Sequence, residues 1–215
     1  MKILIQFISA LFLLSLISCS GRSSVSAGDQ VGEILYLEGT VSVDGVDGEI
    51  GQSVMDGNTV KTGPDSYVEI KFGDSRVLKA EENTRLVLDA GEKTFRLKSG
   101  ALAVVQSKTR WFIRNNSWLV ETPTMAATVR GTVYYTKVES PDEVYFCLCN
   151  GKIHLEDSNA VDSVNLEAAH HRAVRFVRGN DGIVHQDSTL LYHDDRVMEA
   201  VADEVNVSIN WSRIP

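Results

Sequence analysis

Hydrophobic residues alternate with polar ones in short runs along most of this chain. Val68, Ile70 and Phe72, for example, are separated from one another by charged residues. The same alternation recurs at Val41–Val43, Leu102–Val104, Trp118–Thr122, Val133–Tyr135, Val144–Leu148, Ile153–Leu155 and Val174–Phe176. A two-residue period over roughly 4 to 8 residues indicates strands with one buried face. The pattern therefore predicts many short, half-buried strands.

Glycine, asparagine and aspartate separate these runs. Their pairing is typical of tight turns, as in Asp44-Gly45, Asp56-Gly57, Gly73-Asp74 and Asn150-Gly151. No helical period of convincing length occurs between Val31 and His185. Short strands with frequent turns predict an all-β fold, a stack of short strands that could be solenoid-like, a barrel or a sandwich.

One short helix is predicted near the C-terminal end. Asp194 or Asp195 can cap it, because a short acidic side chain accepts hydrogen bonds from the first helical turn. Apolar residues follow at helical spacing: Val197, Met198, Val201 and Val205. We expect this helix to pack on the β-domain and to close an open end of it, rather than to dock on a partner.

The N-terminal residues have the features of an export signal. Lys2 precedes an apolar run from Ile3 to Ile17. This run has about 15 residues, whereas a membrane-spanning helix needs roughly 20. Leu16–Cys19 then resembles the lipobox of bacterial lipoproteins, and the resemblance implies cleavage before Cys19 and lipidation of its thiol. The alternative is an ordinary secretory signal followed by a chance cysteine.

We therefore divide the chain into four parts. Residues 1–18 are the predicted signal peptide and residues 19–30 a lipidated, polar tether. Residues 31–178 are the predicted β-domain, and residues 179–215 are a C-terminal appendage with the short helix. The lipid at Cys19 places the protein on a membrane of the cell envelope. Ser20 is not the aspartate that retains lipoproteins on the inner membrane of enteric bacteria, which favours the outer membrane, in either leaflet.

Several segments of the β-domain carry a resemblance to a known family. They occur in this order: Gly39–Gly45, Gly51–Ile70, Phe72–Ser75, Leu97–Leu102 and Glu121–Val133. The last segment is the most specific, with a Thr-Pro pair followed by Val-Arg-Gly-Thr. Together they resemble the FecR domain, the periplasmic module of transmembrane regulators of iron uptake, which also occurs in other exported proteins. The resemblance implies a compact, solenoid-like stack of short strands.

The resemblance leaves several functions open. Our first hypothesis is a lipid-anchored binding or scaffold module that contacts another envelope protein, with strand addition at an exposed sheet edge as the mechanism. A second hypothesis is a lipoprotein that binds the cell wall or another glycan. A third is an envelope signalling component related to the iron-uptake regulators. In those regulators the domain works with a transmembrane segment and a cytoplasmic part that controls a sigma factor. Neither is recognisable in this sequence, so we expect that this mode of signalling does not transfer.

Composition excludes some classes of function. The net charge is −8 and no block of basic residues occurs, which argues against nucleic acid as a partner. The sequence contains none of the common nucleophile-elbow, zinc-protease or phosphate-loop motifs. We therefore predict that the protein is not an enzyme and that it has no cofactor.

Four residues are candidates for contact with a ligand or partner. Arg130 could grip a carboxylate through its planar guanidinium, or it could maintain the fold by pairing with an acid such as Asp74. Trp111 and Trp118 frame a polar segment and, with Tyr192, could stack on a sugar.

Two cysteines, Cys147 and Cys149, lie two residues apart in a predicted strand and point to one face. A disulfide at this spacing is geometrically poor, so we expect buried, unpaired thiols. A metal site with His154, or with His170 and His171, is the alternative. A Cys-x-Cys pair alone is a weak signal, and we predict no metal. His185 and His193 add donors, but the sequence does not show that the histidines converge.

Overall fold

The computed structural model describes residues 31–107, 117–129 and 131–215. These residues form sixteen strands and one helix. In chain order they are β1 (Gly32–Glu38), β2 (Val41–Val43), β3 (Val46–Asp47), β4 (Ser53–Val54), β5 (Thr59–Thr62), β6 (Tyr67–Phe72), β7 (Arg76–Ala80), β8 (Arg85–Asp89), β9 (Thr94–Gln106), β10 (Trp118–Glu121), β11 (Met125–Val129), β12 (Val133–Ser140), β13 (Glu143–Asp157), β14 (Ser163–Ala168), β15 (Arg172–Gly179), β16 (Gly182–Ser188) and α1 (Asp195–Asp203). The predicted all-β fold with one short C-terminal helix is confirmed.

The strands form two sheets that face each other. Sheet A has the strand order β4-β1-β6-β7-β9-β12-β13-β15-β16. Sheet B has the order β3-β2-β5-β8-β9-β10-β11-β13-β14. Strands β9 and β13 occur in both orders because each one leaves one sheet and continues in the other. Two shared strands therefore tie the sheets together.

Glycines lie where the shared strands change sheets. Residues Thr94–Ser99 of β9 pair with β8 in sheet B, and residues 100–105 pair with β12 in sheet A. Gly100, at the change, has a φ of +81°, and a Cβ there would lie 2.2 Å from Thr84 Oγ1. Gly151 occupies the corresponding place in β13, with a φ of +131°. Both corners require a backbone that residues with a Cβ rarely adopt.

The space between the sheets holds the larger hydrophobic core, which we call the inter-sheet core. Its buried aromatic residues are Phe72, Phe95, Trp118, Tyr134, Phe146 and Phe176. Phe95 and Trp118 stack with their ring centroids 4.5 Å apart. The alternation seen in the sequence supplies this core, because every second side chain of a strand faces the opposite sheet.

A smaller core lies on the outer face of sheet A, where the C-terminal residues pack. Helix α1 contacts β7 and β9 there, and its buried residues are Met198, Val201 and Ala202. Sheet A contributes Val77, Ala101, Ala103, Val105, Val133, Tyr135, Tyr145, Cys147, Cys149 and Ala173 to this outer cluster. Sheet A is therefore covered on both faces over this region.

Two details differ from the expectations. The helix covers a face of sheet A and does not close an open end, because the outer face of sheet A presents the small and apolar residues that its buried side needs. Strand β16 pairs with β15 along its length, so the β-structure continues to Ser188, beyond the predicted boundary at Arg178. The predicted cap is confirmed, since the Asp194 side chain accepts a hydrogen bond of 3.0 Å from the Val197 backbone N–H.

No helix within the described ranges is long and apolar enough to cross a membrane.

Candidate functional site

Cys147 and Cys149 lie side by side on the outer face of sheet A. They are two residues apart on β13, so both point toward the C-terminal residues that cover this face. Both are completely buried and neither forms a disulfide. The prediction of buried, unpaired thiols is confirmed.

His171, the residue just before β15, places its side chain beside these thiols. Its φ of +41° is unusual for a residue other than glycine, and its backbone N–H donates to the Cys149 carbonyl at 3.0 Å. Its Nδ1 lies 3.6 Å from the Cys147 Sγ. Its Nε2 lies 2.7 Å from Asp195 Oδ1 at the start of α1. The imidazole is therefore held between a thiol and a carboxylate.

His193 reaches the other thiol from the segment before α1. Its Nε2 lies 3.3 Å from the Cys149 Sγ. Its Nδ1 lies 2.9 Å from the Leu191 carbonyl oxygen, so this nitrogen carries the proton and donates it. The ring stacks on Tyr135 with centroids 4.5 Å apart. In this tautomer of the imidazole, Nε2 is the acceptor nitrogen, and it faces Cys149.

The four side chains form one compact thiol–imidazole cluster. Their ligand atoms all lie within 4.8 Å of one another. The His171 side chain is 7% exposed and His193 is 8% exposed, so little water reaches the group. Trp211 of the C-terminal tail stacks on His171 with centroids 5.2 Å apart and covers it further.

The close contacts shift the proton affinities in opposite directions. A hydrogen bond from the Cys149 thiol, reinforced by His171 and His193, lowers the pKa of Cys147 well below its usual value. Burial, together with the neighbouring Cys147, raises the pKa of Cys149. Burial alone would lower the pKa of His171, but its hydrogen bonds with Cys147 and Asp195 outweigh this and raise it. The cluster thus favours one thiolate beside one thiol.

Asp195 is a partner of the cluster and also binds its neighbour His170. His170 Nε2 lies 2.9 Å from the same carboxylate oxygen that accepts from His171. These two hydrogen bonds lower the pKa of Asp195, so the carboxylate stays ionised. His170 is itself half exposed and adds no atom to the thiol–imidazole cluster.

The structure separates His154 from the thiols. This residue lies on the sheet B part of β13, where its ring contacts Asn165 at 2.8 Å and Glu156 at 2.9 Å. Of the three histidines predicted as possible companions of the cysteines, His154, His170 and His171, only His171 contacts a thiol. The second histidine at the thiols is His193, which lies 44 residues beyond Cys149. No local spacing could have identified it.

The residues predicted to contact a ligand or partner lie in different environments. Trp118 is 1% exposed and packs between Phe72 and Phe95, so it is not a surface aromatic and cannot stack on a sugar. Trp118 belongs to the alternating residues of β10 whose side chains face the inter-sheet core. Cys19, Trp111 and Arg130 lie outside the described residues. Tyr192 is 46% exposed, with its hydroxyl bonded to Glu139 and the Lys137 ammonium over its ring.

A second surface feature is the end of the sandwich formed by β14 and β16. Within the described residues each of these strands pairs on one side only. Asp162, next to β14, accepts a hydrogen bond of 2.9 Å from the His185 N–H and thereby blocks the middle of the β16 edge. At the opposite end, β3 and β4 have two residues each. The β14 edge is therefore the longest one that is open for pairing in this part of the chain.

The hydrogen bonds of the β13–β14 hairpin determine which backbone groups of β14 point away from β13. The Asp157 N–H donates to the Asp162 carbonyl at 2.8 Å, and bonded pairs alternate along an antiparallel ladder. The N–H groups of Asn165 and Glu167 therefore point away from β13. An edge with outward N–H groups can accept a further strand.

Comparison with known proteins identifies part of the β-domain. The family model described as FecR protein matches residues 58–154, which include β13 as far as His154. No curated protein matches this chain.

Two solved structures are similar to this chain. Both are crystal structures of a candidate anti-sigma factor from Parabacteroides distasonis, with 11% and 10% sequence identity and TM-scores of 0.46 and 0.48. Each comparison covers 60% of this chain and 59% of the other, so this chain spans about three fifths of those structures.

Proposed function

Because residues 58–154 of this chain match the family model described as FecR protein, we propose that the protein is a component of envelope signalling related to the regulators of iron uptake. The match to the family is the observation that carries this proposal. It favours the signalling hypothesis over a purely structural scaffold. It indicates no enzymatic family, and the proposed role is regulation through binding.

The proposed partner is a protein that adds a strand at the β14 edge. This edge has six residues, and its outward N–H groups at Asn165 and Glu167 supply a template for main-chain hydrogen bonds. Lys152 and Glu167 form an ion pair of 2.7 Å beside it, which leaves charged side chains to give specificity. The β16 edge is a poorer template because Asp162 occupies its middle.

Attachment to the membrane is part of the same proposal. The sequence before the β-domain resembles a lipobox, and lipid at Cys19 would hold the FecR domain at the outer membrane, close to an envelope partner. Palmitate labelling of the full chain tests the anchor. Labelling should be present in the unaltered chain and absent from Cys19→Ser; labelling that persists in the variant contradicts the anchor.

Proline substitution tests the edge. Asn165→Pro removes an outward N–H without removing a ladder bond of the β-domain, so the chain should fold and lose its partner. Asp187→Pro makes the same kind of change on the blocked β16 edge and is the matched control. In a pull-down from detergent-solubilised envelope, one stoichiometric protein should bind the unaltered chain and Asp187→Pro but not Asn165→Pro.

If the protein has a signalling role, the variant Asn165→Pro should also have an effect on transcription. Cells that carry Asn165→Pro should show the same transcriptional change as cells that lack the chain, whereas Asp187→Pro should behave as the unaltered chain. Loss of the bound protein without any transcriptional change would favour the scaffold hypothesis. Equal binding by both proline variants would contradict the β14 edge.

A further inference from the structure

We infer that the thiol–imidazole cluster is a binding site for one zinc-class metal ion, with Cys147, Cys149, His171 and His193 as its four ligands. This site is independent of the proposed partner binding at β14, which lies in the other sheet. It would join three separate parts of the chain: β13, the residue before β15 and the segment before α1.

The distances fit a tetrahedral ion. Bonds of about 2.3 Å to sulfur and about 2.0 Å to nitrogen place ligands roughly 3.6 Å apart around a tetrahedral centre. Cys147 Sγ and His171 Nδ1 are 3.6 Å apart, and Cys149 Sγ and His193 Nε2 are 3.3 Å apart. All four atoms lie within 4.8 Å of one another. Small side-chain adjustments would complete the coordination.

In both imidazoles, the ring nitrogen that points away from the thiols already has a hydrogen-bond partner. His171 directs Nε2 to the Asp195 carboxylate at 2.7 Å, and His193 directs Nδ1 to the Leu191 carbonyl at 2.9 Å. Such partners fix the orientation and tautomer of metal-binding histidines and make them better ligands. The nitrogens that remain, Nδ1 of His171 and Nε2 of His193, are the ones that face the thiols. A core thiol pair alone would not need this arrangement.

The donor types decide the class of ion. Two sulfurs and two imidazole nitrogens suit zinc, whereas magnesium and calcium prefer oxygen ligands. The site is buried and all four positions of a tetrahedron are supplied by protein, which is typical of a structural centre. Cysteine binds zinc as a thiolate, so metal binding at this site is expected to release protons.

The position of the site gives the ion a structural effect. His193 and Asp195 belong to the C-terminal residues that cover the outer face of sheet A, whereas both cysteines belong to the sheet. A bound ion would therefore clamp residues 189–215 onto the β-domain. Its loss would weaken this attachment while the inter-sheet core stays intact.

Cobalt and zinc binding to the full chain test the site. The chain is purified in detergent with reductant, stripped with a chelator and titrated with Co²⁺. We expect one equivalent to bind, with visible absorption of the tetrahedral type and a thiolate-to-cobalt charge-transfer band. Added Zn²⁺ should abolish both by displacement. Circular dichroism confirms that each sample is folded.

Matched variants assign the ligands. Cys147→Ser and His193→Gln should lose the cobalt spectrum, whereas His154→Gln, on the same strand but outside the cluster, should retain it. Asp195→Asn should weaken zinc affinity by about 10- to 100-fold, as expected for a residue that positions a ligand. His170→Gln removes the other hydrogen bond of Asp195 and should leave the affinity unchanged.

Several outcomes would overturn the inference. One is a folded, reduced, unaltered chain that binds no cobalt or gives no tetrahedral spectrum. Another is a spectrum that survives in Cys147→Ser and His193→Gln. A third is a chain isolated without reductant that contains a Cys147–Cys149 disulfide and no metal. None of these results bears on partner binding at β14, so the two proposals can fail separately.

Discussion

The inter-sheet core and the outer cluster are built from different kinds of contact. The inter-sheet core consists of alternating apolar side chains from both sheets, with aromatic rings in direct contact. The outer cluster combines small residues of sheet A with the helix, two thiols and two imidazoles. The first region therefore owes its stability to burial of apolar area, whereas the second also depends on polar groups that an ion can join.

The largest expected effect comes from the inter-sheet core. Phe95→Ala removes a ring that contacts both Phe72 and Trp118, and it should lower the free energy of unfolding by about 3–5 kcal/mol. Met198→Ala in the outer cluster should cost about 2 kcal/mol and act mainly on the attachment of α1. Denaturant unfolding of both variants measures the difference. Equal loss of global stability would contradict the division into two regions.

The sheet corner at Gly100 should be nearly as sensitive. Gly100→Ala places a Cβ 2.4 Å from the Thr84 Cα and keeps a φ of +81°, and we expect a loss of about 3 kcal/mol. Gly45→Ala is the matched control, since its φ is +82° but no atom lies within 4 Å of the added Cβ. The control should cost about 1 kcal/mol. Similar thermal stabilities of the two variants would show that the close approach at Thr84 is relieved at little cost.

A buried carboxylate at the β13–β14 turn should give a pH-dependent effect. Burial tends to raise the pKa of Asp157, but hydrogen bonds from the Asp162, Asn159 and Val161 N–H groups lower it overall. A lowered pKa stabilises the fold above the unfolded value, near 4, and this stability disappears as pH falls through the folded value.

Asp157→Asn should therefore cost about 1–2 kcal/mol at pH 7. The difference from the unaltered chain should vanish in acid, as measured by denaturant midpoints across the pH range. A cost that stays constant down to the lowest pH would show that charge at this turn does not matter.

The smallest expected effect is at the start of the helix. Asp194→Ala removes the cap of α1 and should cost about 1 kcal/mol, confined to the outer cluster. Asp203→Ala, at the other end of the helix and outside the cap, is the control. Hydrogen exchange of the helix amides measures the effect, which should be absent from the amides of sheet B.

The inter-sheet core can be predicted from the sequence more completely than the outer cluster. Alternation identifies Val68, Ile70 and Phe72 as inward-facing residues because a strand repeats every two positions, whatever its partner. The same rule placed Trp118 correctly in a strand, although its surface role was wrong because the ring points between the sheets. The helix cap at Asp194 could also be predicted from the sequence, because it depends on neighbouring residues alone.

The thiol–imidazole cluster could not be predicted in this way. Cys147 and Cys149 were visible as a same-face pair, but their histidines come from positions 24 and 44 residues away. Such convergence depends on how β15 pairs with β13 and on how the C-terminal residues fold back over sheet A. Neither fact has a local signature, so the nearby His154 looked as good a candidate as the distant His193.

Hydrogen exchange with and without zinc tests the account most directly. In the reduced full chain, zinc at a hundred times its dissociation constant should stabilise the clamped state by about 2.7 kcal/mol. Amides of α1 should then exchange about a hundredfold more slowly, whereas fast-exchanging amides of the β2–β3 hairpin should not change. Exchange of α1 that is the same in zinc and in chelator would contradict the metal clamp and, with it, the distinction between the two regions.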